Sequence, residues 1–311
     1  MSASDALFEP RKQRRALVAR LFHAACVLIT GGAVVVLGVL LYRVWHDGSE
    51  LLSLEFLDRF PSQITPEKAG VKSALWGTVW LIGLTAAVAI PTGVGAAVYL
   101  QEYAPRNAFT RLIQLNIANL AGVPSIVYGL LGLAVFVRWL RFDRSVLSGS
   151  LTMSLLILPV VIIASREAIA AVPNSIREAA FALGATRWQT VRHHVLPAAA
   201  PGILTGVILS MARAMGETAP LIMIGALTYI RFVPGGTHEA APGLAGWVGW
   251  FGEAIRDPFV VLPIQIFNWA EQAQPIFHKL AAAGIVVLLT VMLILNGAAV
   301  VLRAFWQRKQ P

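Results

Sequence analysis

Charge is what this chain has least of. Asp, Glu, Lys and Arg make up 13% of its 311 residues, where a soluble domain carries about 25%. Acids are the scarcer sign, 16 against 25 Lys and Arg, which leaves a net charge of +9. Cysteine is nearly absent: Cys26 stands alone, so no intrachain disulfide can form. There is no G-x-x-x-x-G-K-[ST], and hence no loop to cradle nucleotide phosphates. "HEAAP" at His238 lacks the second histidine of H-E-x-x-H, which removes that route to a zinc protease. No nucleophile and base, and no set of metal ligands, points to an intramembrane enzyme instead. Nor is the positive charge a nucleic-acid footprint, because no basic face is interleaved with stacking aromatics.

Long apolar runs are what the sequence does have, with 57% hydrophobic residues and a mean hydropathy of +0.69. Crossing the hydrocarbon of a bilayer takes about 20 mostly apolar residues. Windows free of Asp, Glu, Lys and Arg cover 21–42, 73–101, 112–137, 145–165 and 280–302. A sixth stretch, 198–227, is interrupted only by Arg213 and Glu217. Helices and closed barrels alone satisfy their backbones in lipid, so these lengths predict an all-α membrane protein with six spans.

The basic residues sit at the edges of the runs, as the positive-inside bias expects. Arg11, Lys12, Arg14, Arg15 and Arg20 place the N-terminus in the cytoplasm, and six spans return the basic "RAFWQRKQP" end to the same side. The apolar run after Arg20 exceeds the 7–15 residues of a signal-peptide core, so it reads as a retained helix. Arg166, Arg177, Arg187 and Arg192 outweigh Glu167 and Glu178 in a second inside loop. One loop runs against the bias: "RWLRFDR", 138–144, is basic yet falls outside. Segment 231–279, also outside, holds apolar pieces too short to span, which predicts interfacial or re-entrant helices with tryptophans at headgroup depth. The chain therefore divides into a basic N-terminus (1–20), a first helix with its outer loop (21–72), a five-helix core (73–303) and a C-terminal tail (304–311).

Between the fourth and fifth runs lies "VPNSIREAAFALGATRWQTVRHHVLPAAAPG". Ser175 with Glu178 reads as a capping box, starting a helix near Ile176. Gly184 suits the left-handed turn that ends it. Thr186 with Gln189 reads as a second box, and the next helix is expected to stop before Pro197. Its exposed face would carry Arg187, Trp188, Arg192 and His193. Local signals fit either an amphipathic loop lying on the membrane or a projecting element that docks on a partner.

A resemblance favours docking. Glu178, Ala179, Ala180, Gly184, Leu196 and Pro197 match the offsets of the EAA loop in permease subunits of bacterial ABC importers, with His194 where that family prefers Ile or Val. In the family this loop holds the coupling helix, which sits in a groove of the ATP-binding subunit; Arg187 and Trp188 would share that surface. "AGVPSIVYGLLGLAVF" (121–136) and "SMARAMGETAPLIMIGA" (210–226) resemble the third and fifth helices of phosphate-importer permeases, and 262–300 resembles the end of one of their two types. Ala219-Pro220 after Glu217-Thr218 favours the same type.

The resemblance implies a type I (MetI-like) importer core in the bacterial inner membrane. It implies as partners a second permease, a homodimer of ATP-binding subunits that hold ATP and Mg, and a phosphate-binding protein, with no cofactor in this chain. Membrane lipid would surround it. A permease for sulfate, molybdate or tungstate is the alternative, and an ion-coupled secondary transporter a more distant one. The latter should show interrupted helices in two related halves, and no such halves stand out.

Arg213 and Glu217 are the residues on which a function turns. A charge at the bilayer centre costs about 3 kcal/mol on insertion scales, so both should face protein or water. Four residues apart on a helix, they can pair. Pairing can serve insertion alone, or Arg213 can contact an anion in transit while Glu217 weakens its grip. Ser125, beside Pro124, can line the path or simply pack. Gly202 and Gly206 form a G-x-x-x-G that close helix packing suffices to explain.

Overall fold

The computed structural model describes residues 9–226, 229–238 and 243–308. The extreme termini, the predicted span end at Leu227 and residues 239–242 after His238 lie outside the described residues. Among the described residues the chain is helical, with one isolated β-bridge between Ser145 and Pro258.

A long α1 (Glu9–Gly48) is followed by the short α2 (Leu54–Asp58). Next come α3 (Lys72–Val98), prolonged by a wide π-type turn at Tyr99–Tyr103, and α4 (Ala108–Ala121). Then α5 (Ser125–Gly132) runs on through Leu133–Trp139, and α6 (Val146–Ala170) follows. The loop helices are α7 (Asn174–Ala182) and α8 (Arg187–Thr190). The chain continues in α9 (Leu196–Gly216), α10 (Ala219–Ile224), α11 (Leu244–Ala254), α12 (Leu262–Ala270) and α13 (Pro275–Arg308).

Five helices are long and apolar enough to span, and the pair α4 and α5, bent by 102° at a short break, makes a sixth when counted as one span. The third predicted run is therefore broken rather than a straight helix. Pro124 is the cause: it has no N–H, and its ring drives Val123 out of the helical region. Another expectation fails in the loop. The second loop helix does not stop before Pro197; α8 passes through a π-type turn at Val191–Val195 straight into α9, with Pro197 in the first turn. A proline inside a helix removes one backbone hydrogen bond and crowds the turn before it, and the wide turn at Val191–Val195 directly precedes this one.

Helix α6 is the centre, packed against α3 on one side and α9 on the other. Gly202 and Gly206 meet it closely: a Cβ at either would lie 2.8 Å from the Ala168 methyl or 2.4 Å from the Ala164 methyl. The G-x-x-x-G is thus a packing seam, as expected. The hydroxyls of Thr85, Ser150 and Ser154 bond back to the preceding turn of their own helices, and Thr85 and Ser154 also reach carbonyls across the α3–α6 contact. By contrast, the most apolar window of α1 is wholly exposed, and this helix leans chiefly on α13.

Contacts between loops sort the ends of the spans into two sets. Val146 N and Leu147 N donate to the carbonyls of Asp257 and Ile255, and Lys279 Nζ pairs with Glu50 at 2.7 Å. The basic loop 138–144 thus sits with segment 231–279 and with the residues after α1. At the opposite end Arg177 pairs with Glu102. Alternation of this kind is what six spans require.

Segment 231–279 holds two short helices, as predicted, but their tryptophans part company. Trp247 of α11 is exposed, whereas Trp269 of α12 is fully buried against Phe56, ring centroids 6.3 Å apart. The placing of Trp269 follows from helical spacing, since Leu262, Gln265 and Trp269 share the buried face of α12. A clamp holds the start of this segment. Asp257 accepts from Gly235 N at 2.8 Å, and its other oxygen meets His238 Nε2 at 2.9 Å; His238 Nδ1 faces Glu253 at 3.3 Å.

With carboxylates on both ring nitrogens, chiefly through the Asp257 hydrogen bond, His238 is held above its ordinary 6.5. A raised histidine adds stability that is fully present below the ordinary value and is lost as pH rises through the folded one. The advantage of the parent over His238→Ala, read as resistance of this segment to limited proteolysis, is therefore expected to be larger at pH 6 than at pH 8.5. An equal advantage at both would show that the charge of the ring contributes nothing.

Candidate functional site

The charged pair of the fifth run lies at a second helix break. α9 ends at Gly216, Glu217 is extended (φ −80°, ψ 124°), and α10 restarts at Ala219 with Pro220 in its first turn. The two residues thus pair across the end of a helix and not along its middle, as a continuous span would have placed them. Arg213 Nε donates to Glu217 Oε1 over a long 3.4 Å. The Arg213 side chain is 49% exposed and that of Glu217 20%. A guanidinium carries five N–H donors; no hydrogen bond other than this one engages Arg213 among the described residues.

Both helix breaks meet here. α10 packs on α5, and a Cβ on Gly129 would lie 2.7 Å from Pro220 Cα, so only glycine admits this approach. Tyr128, from the same turn of α5, reaches back over the first break and donates to Leu120 O at 2.8 Å. Leu120 O, which also receives Val123 N at 3.1 Å, is thereby held from both sides of the break. Ser125 opens α5 half-buried and makes no hydrogen bond to either charged residue among the described residues. Of the three residues singled out from the sequence, two are brought together directly; Tyr128 was missed, having no pattern beyond an apolar helix.

At the other end, the loop is only partly as expected. The Ser175 and Glu178 box does not form: Pro173 is the cap, α7 begins at Asn174, and Ser175 falls inside the first turn. Proline's preset φ explains the earlier start. The Thr186 and Gln189 box does form. Gly184 is left-handed (φ +79°), with Gly184 N bonded to Phe181 O and Ala185 N to Ala180 O, the two bonds of a Schellman end. Ala180 is buried beneath this turn, while Glu178 and Ala179 are exposed. Phe181, Leu183 and Trp188 also point outward, at 48%, 90% and 54% exposure. Arg192 and His193 are exposed as predicted, and Leu196 and Pro197 are half-buried. The Arg187 guanidinium lies over the Tyr103 ring, 5.6 Å from its centroid.

The body thus combines two helix breaks that meet at a charged pair with a capped loop of exposed apolar and charged groups. Residues 89–238, which contain both sites, match the family of binding-protein-dependent transport system inner membrane components, and the chain belongs to that family as a PstA-type permease. It is 32% identical to the probable ABC transporter permease protein YqgI of Bacillus subtilis, over 86% of this chain and 88% of that protein. Identity to the phosphate transport system permease protein PstA of Haemophilus influenzae is 30%, over 87% of each. Phosphate transport system permease protein PstA 1 of Mycobacterium tuberculosis is 41% identical over 52% of this chain and 53% of that one. Among solved structures, a bacterial alginate ABC transporter superposes with a TM-score of 0.58 over 94% of this chain and 95% of that chain at 16% identity. The MetNI methionine ABC transporter gives 0.53 over 75% and 94% at 14% identity. The two structures share the fold.

Proposed function

We propose that this chain is the PstA-type permease of an ATP-driven importer of inorganic phosphate. It forms the pathway with a second, PstC-like permease, receives its cargo from a PstS-like phosphate-binding protein, and is driven by a homodimer of PstB-like subunits that bind ATP and Mg. Both termini are cytoplasmic in this reading. The observation that carries the substrate is Arg213, held in the last turn of α9 by one long bond, with no other hydrogen bond to its fork among the described residues. Arginine is the side chain best matched to a phosphate, being permanently charged and planar. Relatives named as phosphate permeases along most of their length agree with it. Glu217 keeps the site from trapping a divalent anion, because transport requires release as well as binding. In the loop, Glu178, Ala179, Ala180, Gly184, Arg187, Trp188, Leu196 and Pro197 form the docking element for the ATP-binding subunit.

The test is phosphate uptake into proteoliposomes that hold the whole assembly and ATP, with excess arsenate or sulfate as competitor. Uptake should need ATP and the binding protein, be blocked by arsenate and ignore sulfate. Strong competition by sulfate would keep the architecture and overturn the substrate; uptake without ATP would overturn the coupling.

A further inference from the structure

Arg177 stands immediately before the loop's Glu178, and its side chain is only 14% exposed. Its Nη2 lies 2.7 Å from Glu102 Oε1, and Nε reaches the same carboxylate at 3.2 and 3.4 Å. Glu102 is 10% exposed and belongs to the wide turn that ends α3. Nη2 also bonds Ile169 O of α6 at 3.0 Å, and Nη1 bonds Val172 O just past the end of α6 at 2.7 Å, with longer contacts to Pro173 O and Asn174 Oδ1 at 3.5 and 3.4 Å. Both carbonyls lie at or just beyond the end of α6, where Ile169 O also receives the closing bond from Val172 N. One guanidinium therefore joins the start of α7, the end of α3 and the end of α6. A lysine has no fork with which to do this.

A second contact converges on the same turn. Arg187, from the other half of the loop, covers the ring of Tyr103, the residue after Glu102. Both loop helices thus bear on Tyr99–Tyr103, and π-type turns of this sort are frequent at functional positions. Exposed Phe181, Leu183 and Trp188 face away on the docking side.

We propose that Arg177 and Glu102 form a positioning tie that transmits displacement of the docked loop to α3 and α6, the central pair of the bundle. The inference rests on the reading of this loop as the docking element for the ATP-binding subunit. Neither residue touches the transported anion. Arg177 acts by making the loop and the two helix ends move as one body.

The experiment uses the complete assembly in proteoliposomes and reads inorganic phosphate imported per ATP hydrolysed. Arg177→Gln and Glu102→Gln are each expected to lower that ratio at least about fivefold, the low end of coupling between distinct sites. Arg177→Lys, which keeps the charge without the fork, should recover only part of it. Because the two act as one tie, the double variant should couple no worse than the poorer single one. A pair that only stabilised the fold would lower the yield of assembled complex and leave the ratio per complex unchanged. A parent-like ratio in assembled Arg177→Gln, or single effects that multiply in the double variant, would overturn the proposal. Should Arg177→Gln not assemble, Glu102→Gln decides alone, and a parent-like ratio there is equally fatal. If the parent assembly itself imports no phosphate on ATP, the proposed function fails and the tie with it; if the parent couples and the variants couple as well, only the tie fails.

Discussion

Arg213→Ala is expected to reduce ATP-driven phosphate uptake about a hundredfold, the largest functional effect of any single change in this chain. Hydrogen bonds to charged groups are worth about 1.5–3 kcal/mol each, and about 1.4 kcal/mol is a factor of ten. On the proposed reading, in which the Arg213 fork contacts the anion, losing two such bonds accounts for that loss. The alanine variant carries a second cost, since Glu217, 20% exposed, is left without its counter-charge. Arg213→Lys separates the two effects: it keeps a positive charge beside Glu217 but not the planar donors. Its uptake should fall about tenfold, one lost charged bond, in an assembly recovered at parental yield. Normal uptake by that variant would remove Arg213 from the pathway and leave the pair a device for inserting the helix.

Gly77→Ala should be the most destabilising small substitution. A methyl at Gly77 would lie 2.0 Å from the carbonyl oxygen of Val260, a backbone atom. That backbone has little room to retreat: Val260, Val261 and Leu262 are buried, and Leu262 N is held by Thr78 Oγ1 at 2.9 Å. Overpacking typically costs about 1–3 kcal/mol, and a clash with fixed backbone belongs at the top of that range or beyond. Gly83 in the same helix is the matched control, because a Cβ there meets nothing within 4 Å. Gly83→Ala should be neutral or stabilising by up to about 1 kcal/mol, the helix propensity gained. Thermal unfolding of the purified complex in detergent compares the two. Equal midpoints would mean that segment 231–279 does not pack on α3 as described.

Much of this molecule can be read from one line of letters, because a bilayer leaves the chain few choices. Backbone groups in lipid must pair within helices, so run length determined an all-α body with five or six apolar spans. Local signals that depend on neighbours in sequence also held: the left-handed Gly184, the Thr186 and Gln189 box, the pairing of Arg213 with Glu217. A signal that another local preference overrode did not, and Pro173 displaced the Ser175 cap.

Other features belong to the tertiary structure alone. Pro124 marks a break, but a 102° bend depends on α5 finding α10 across the bundle, with Gly129 against Pro220. Trp269 looked interfacial because its segment is too short to span, yet Phe56, more than 200 residues earlier, buries it. Arg177 and Glu102 are 75 residues apart, each unremarkable in its own loop. What the sequence determined is what each segment must do with its own backbone and the surrounding lipid. Which helix ends meet was decided only when side chains distant in the chain competed for the same small interior, and the contact of Arg177 with Glu102, like that of Gly129 with Pro220, is set by that competition.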